Sequence, residues 1–132
     1  MGQSTRYGLV GIGGLALLTA VHWLRDQALA PEPVQDYLLG VLPNFAAAIA
    51  ITFVLLGIWS DAKREAGYAK TRRSFFICAG ISGLGLIAWE FFQTTSDRLV
   101  FDLHDIGATL VGLGVSALLF FATTRREHAP QV

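Results

Sequence analysis

The sequence predicts an all-α protein, a four-helix transmembrane bundle with both termini in the cytoplasm. Three observations predict it. Apolar residues fill 53% of the 132 positions and charged residues only 15%, and the mean hydropathy of +0.51 is higher than soluble domains usually show. The apolar residues gather into four stretches, each near the roughly 20 residues that cross the hydrocarbon core of a bilayer. Basic residues crowd one side of those stretches, as the positive-inside rule expects of a multi-pass chain.

The first stretch covers residues 7–24. A cleaved signal peptide is the competing reading, but only Arg6 precedes the apolar run. The nearest small-x-small site, Ala28-Leu29-Ala30, lies beyond Arg25 and Asp26 and is followed by Pro31, a poor cleavage context. The stretch is therefore read as a retained span. Pro31 and Pro33 hold the next linker extended, because a residue before proline avoids the helical region. The second span covers 37–59, the third 74–92 and the fourth 106–123. None alternates with period two, and all are too long and too evenly apolar for strands or surface helices. Residues 1–132 form one membrane domain.

With both termini inside, the cytoplasmic segments hold Arg6, Lys63, Arg64, Lys70, Arg72, Arg73, Arg125 and Arg126, against Arg25 and Arg98 outside. The basic middle loop, Asp61 to Arg73, reads as a topology anchor more than as a lipid-recognition patch. Ten basic and ten acidic side chains cancel, which gives no electrostatic footprint for nucleic acid. The low charge and the many large apolar side chains exclude a disordered chain. Cys78 stands alone, so neither an internal disulfide nor a thiolate metal site is available.

Small residues predict where helices come close. Ala108, Gly112 and Ser116 recur every four positions on one face of the fourth span, and Ala79 and Gly83 do so in the third. The stripe from Gly83 runs through Leu86 or Ile87 to Glu90. Such stripes let backbones approach, so the third and fourth spans are expected to pack as a close hairpin.

Ionisable groups at membrane depth are costly and commonly functional. Glu90 is the clearest case, with Gln93 one turn on; Arg98, Asp102, His104 and Asp105 follow within a short loop and the start of the fourth span. His22 and Asn44 lie at the same membrane face. The expectation is one connected outer cluster of Glu90, Gln93, Arg98, Asp102 and Asp105, with Arg98 folded over the carboxylates. Plainer roles stand beside it. Asp105 suits a helix cap, Glu90 with Arg98 a structural ion pair, His22 beside Trp23 an interfacial belt, and Asn44 after Pro43 an interhelical hydrogen bond. The Asp-x-His-Asp spacing is a weak metal signal, so no metal or cofactor is expected. Nucleophile triads, phosphate loops and nucleotide signatures are absent from the sequence.

Glu90-Phe-Phe-Gln93, then Arg98, then Phe101-Asp102-Leu-His-Asp105-Ile106 and Gly112 resemble the signature of the VanZ-like family of small bacterial membrane proteins. Thr109 stands where that pattern has Asn, and Arg98 falls about one residue early. Pro43-Asn44-Phe45 replaces the Asp-Lys and His that often open the corresponding early helix. The resemblance covers about a third of the chain, from Trp89 to about Phe120. It implies a multi-pass protein of the bacterial cytoplasmic (inner) membrane and no particular enzymatic activity. Two functions stay open. One is non-catalytic binding of a lipid headgroup, a lipid-linked cell-wall precursor or a partner membrane protein. The other is a membrane-embedded hydrolase or transferase, with Glu90 or Asp105 as general base and Arg98 on a phosphate.

Overall fold

The computed structural model describes residues 1–27, 32–95 and 102–124. Four helices occupy them: α1 Gln3–Gln27, α2 Pro33–Ala62, α3 Tyr68–Gln93 and α4 Leu103–Thr123. All four are long and apolar enough to cross a membrane. Each extends beyond its apolar stretch, because polar residues continue a helix readily once the apolar part has fixed its axis. Glu32 is extended, as expected of a residue before proline, at φ −60° and ψ 149°, and Pro33 opens α2. At the first helical position its missing N–H leaves no partner unmet, and its fixed φ suits the helix. Pro43 lies inside α2, where its missing N–H frees the Leu39 carbonyl.

The helix pairings show how the chain is wound. Gly11 faces Val54, Gly14 faces Ala50 and Gly57 faces Gly8, so α1 runs antiparallel to α2. Ser82 donates to the Ala48 carbonyl at 3.2 Å and Asn44 meets Glu90, which sets α3 antiparallel to α2. Gly112 sits on Phe45 and Ala48, and His104 lies beside Tyr37, so α4 runs parallel to α2. The Tyr7 hydroxyl and Thr124 Oγ1 meet at 2.8 Å, bringing the start of α1 to the end of α4.

This arrangement corrects the expected close α3–α4 hairpin. α2 is the hub, in contact with each of the other three helices. The small stripe of α4 seats on α2, where a Cβ at Gly112 would fall 2.6 Å from the Phe45 carbonyl oxygen and 2.9 Å from Ala48 Cβ. The stripe itself is shifted: the buried positions are Thr109, Gly112, Ser116 and Phe120, with Ala108 only partly covered. The reason lies in α2, whose run Ala46-Ala47-Ala48-Ile49-Ala50 offers small surfaces in several directions. Close backbone approach is what associates helices in lipid, and α2 permits it on more than one side. α3 meets α4 through larger groups, Leu113 against Gly83 and Phe75 stacked on Phe120 at 4.4 Å between ring centres.

The core therefore divides into two ends. Where α1 begins and α4 finishes, Tyr7, Phe53, Phe75 and Phe120 form one aromatic cluster with Leu56. The middle carries buried hydroxyls: Ser116 bonds the Gly112 carbonyl at 2.9 Å within its own helix, and Ser82 bonds across to α2. At the other end the core becomes polar around Glu90. Outside, the pattern is inverted relative to a soluble protein, with Leu84 72% and Leu118 71% exposed. Large apolar side chains exposed along every helix suit a hydrocarbon surround.

Candidate functional site

The polar end is built where α1 finishes, α2 begins, α3 finishes and α4 begins. Glu90 lies in the last turn of α3 on its packed face and is 2% exposed. Its Oε1 accepts two amide hydrogen bonds, from Asn44 Nδ2 at 3.1 Å and from Gln93 Nε2 at 3.1 Å. Asn44 reaches it from α2, one residue after Pro43; Gln93 shares its helix face, three residues on. Both donors are half-buried. The second oxygen, Oε2, is buried and has no hydrogen-bond partner among the described residues.

Asp105 projects from the first turn of α4. It is half-buried and near enough to Glu90 for the two carboxylates to repel. The Asn44 amide faces it as well, and Arg25 at the end of α1 acts on it as a counter-charge. Thr109 is fully buried one turn further, with its hydroxyl turned back to the Asp105 carbonyl at 2.9 Å.

Asp102, not Asp105, caps α4. The helix begins at Leu103, earlier than the apolar stretch suggested, and this places Asp105 inside its first turn. Asp102 Oδ1 accepts from the His104 backbone N–H at 2.8 Å and meets His104 Nδ1 at 2.8 Å. These hydrogen bonds, the backbone one foremost, hold the Asp102 carboxyl below the usual carboxylate range. His104 also stands edge-on to Tyr37, ring centres 5.4 Å apart.

The described part of the expected cluster contains three groupings. Asn44, Glu90 and Gln93 are hydrogen-bonded together; Asp102 and His104 form an exposed cap; Asp105 lies electrostatically between them. Arg98 lies outside the described residues. His22 is exposed on α1 and, among the described residues, bonds to none of the others. Among the described residues no three His, Cys, Asp or Glu side chains are grouped to hold a metal ion.

Two participants were not singled out from the sequence. Arg25 counted only toward the charge of an outer loop, because nothing in a linear chain shows that α1 ends over α4. Tyr37 read as the start of a span. The signal that could have found it is its place near the start of α2, level with the polar start of α4 once those helices run parallel.

Charge divides sharply between the two ends. Among the described residues the Glu90 end carries Asp26, Glu32, Asp36, Glu90, Asp102 and Asp105 against Arg25 alone. The opposite end carries Arg6, Lys63, Arg64, Lys70, Arg72 and Arg73 against Asp61 and Glu65. An arrangement of this kind attracts hydrogen-bond donors and cations to the Glu90 end and disfavours anions there.

Compared with known proteins, the chain matches no family model, no curated protein and no solved structure.

Proposed function

We propose that this chain is a VanZ-like multi-pass protein of the bacterial cytoplasmic membrane that binds the headgroup of a lipid or lipid-linked envelope precursor at its outer face, without chemical turnover. The orientation follows from the basic end, which the positive-inside rule puts in the cytoplasm; the Glu90 end then faces outward. The observation that carries the reading is Glu90 itself. One oxygen is fixed by Asn44 and Gln93, and the other lies buried without a donor among the described residues. A buried carboxylate left half-satisfied is costly, and a ligand bringing donors would relieve that cost. Two amides on one oxygen also fix the carboxylate in place, which suits recognition better than proton transfer to a reacting group.

The test is lipid retention. The protein is placed in nanodiscs of bacterial polar lipid, released into the gas phase, and compared with Glu90→Gln and Asp105→Asn. The wild type is expected to carry a bound lipid or precursor that both variants lose. Equal retention by all three would overturn the binding reading.

A further inference from the structure

We propose that the site formed by Glu90 Oε2 and Asp105 takes a primary ammonium group, carried by a phospholipid headgroup of the phosphatidylethanolamine type. This rests on the headgroup-binding reading and adds the chemistry of the ligand.

Four observations converge on it. Glu90 Oε2 is an acceptor with no donor among the described residues, on a side chain 2% exposed. Asp105 adds a second carboxylate close enough to repel the first. Asn44 and Gln93 are already engaged with Oε1, so a ligand must satisfy Oε2 with donors of its own. The surrounding end of the bundle is acidic, with Arg25 its one cation among the described residues, and Arg25 acts on Asp105.

A primary ammonium answers all four. It carries a positive charge and three N–H donors, enough to serve both carboxylates at once. A quaternary ammonium carries the charge but no donor. A glycerol headgroup carries donors, but its phosphate arrives uncompensated beside acids. Depth agrees. Glu90 is three residues before the end of α3 and Asp105 two residues after the start of α4, so both lie about 3–5 Å below the helix ends. α3 is 26 residues long, about 39 Å, so a group this near its end is within reach of the polar lipid region outside a roughly 30 Å hydrocarbon core. Gln93, beside Glu90 on the same helix face, is half-buried and held to it by one side-chain hydrogen bond.

The experiment uses the full chain in a neutral detergent, with unfolding followed by the fluorescence of Trp23, Trp59 and Trp89. Phosphatidylethanolamine, phosphatidylcholine and phosphatidylglycerol are added separately at equal mole fraction, and ethanolamine is added alone. Phosphatidylethanolamine is expected to raise Tm by on the order of 5 °C, with little effect from the other three. The shift should vanish in Glu90→Gln and in Asp105→Asn and persist in Asp36→Asn, which removes an exposed acid at the same end. Using both site variants keeps the test decisive if one of them folds poorly. Equal shifts from phosphatidylethanolamine and phosphatidylcholine would overturn the requirement for donors. A shift from ethanolamine alone would overturn the lipid source. A shift from phosphatidylglycerol only would overturn the ammonium assignment and leave headgroup binding standing; no shift from any lipid would overturn both.

Discussion

Asn44 and Glu90 join the second helix to the third, amide nitrogen to carboxylate oxygen at 3.1 Å, at the level where the packed core turns polar. Pro43 precedes Asn44 in α2, and Gln93 closes the same oxygen from α3. The contact ties the hub helix to the helix that carries the buried acid. It also decides which Glu90 oxygen is left without a partner among the described residues.

Asn44→Ala is therefore expected to destabilise the bundle by about 1–2 kcal/mol, between the modest mean for hydrogen bonds in membranes and the larger value for those to charged groups. Asn44→Asp should cost more, because it sets a third carboxylate beside Glu90 and Asp105. The measurement is equilibrium unfolding in mixed micelles. A double-mutant cycle with Glu90→Gln isolates the pair. A coupling energy indistinguishable from zero would show that the contact contributes nothing to stability.

Three glycines test the packing. At Gly112 an added Cβ meets the Phe45 carbonyl at 2.6 Å, a backbone atom that cannot move without moving α2. At Gly83 the nearest atom is Leu113 Cδ1 at 2.7 Å, the far end of a flexible side chain, and at Gly114 nothing lies within 4 Å. Gly112→Ala should cost roughly 2–3 kcal/mol by overpacking and Gly83→Ala less. Gly114→Ala should be neutral or slightly stabilising through helix propensity. If Gly112→Ala proved as mild as Gly114→Ala, α4 would not rest on α2 as described.

How much of this was legible beforehand differs by level. The four helices and their approximate places could be read from apolar run length, because the thickness of a bilayer imposes one scale on any spanning segment. The pairing could not. Ala108, Gly112 and Ser116 announced a close-packed face, but a stripe of small residues names no partner. The adjacency of α3 and α4 in sequence suggested the wrong one. The clue lay in the alanines from Ala46 to Ala50, which make α2 approachable from several directions. Glu90 stood out by type and depth, yet which donors reach it depends on the register of α2 against α3. Asp105 read as a cap because the apolar run starts after it; the helix starts earlier, and Asp102 takes that role.

The Asp102 cap should respond to pH. Its carboxyl is held low in the folded protein by the His104 backbone N–H and then by the His104 ring. A depressed carboxyl stabilises the fold above its unfolded value, about 3.9. That contribution disappears as pH falls through the lower folded value. The first turn of α4 is thus expected to hold from neutrality to about pH 4 and to loosen below it. Hydrogen exchange at the His104 amide, corrected for its intrinsic rate, reads this directly. Asp102→Ala should leave that amide poorly protected already at neutral pH. Unchanged protection at pH well under the carboxylate range would remove Asp102 from the cap.

Helices α2 and α3 are joined at the basic end, where Glu65 is exposed, and Thr95 is exposed just beyond α3 at the acidic end. Among the described residues, six basic side chains against two acidic ones at the first end, and one against six at the second, give a bias that both ends share. Positive charge in short flanking segments resists translocation, and acids count for little, so the basic end is expected to stay in the cytoplasm. Single cysteines at Thr95 and Glu65, made in a Cys78→Ser background, separate the two orientations. Cys78 is buried among apolar neighbours, so its replacement should leave the packing close to intact. A membrane-impermeant maleimide on intact spheroplasts should label Thr95→Cys and spare Glu65→Cys, and permeabilisation should expose the second. The reverse pattern would invert the topology. It would also move Glu90 to the cytoplasmic leaflet, where a headgroup ligand would have to come from the inner face.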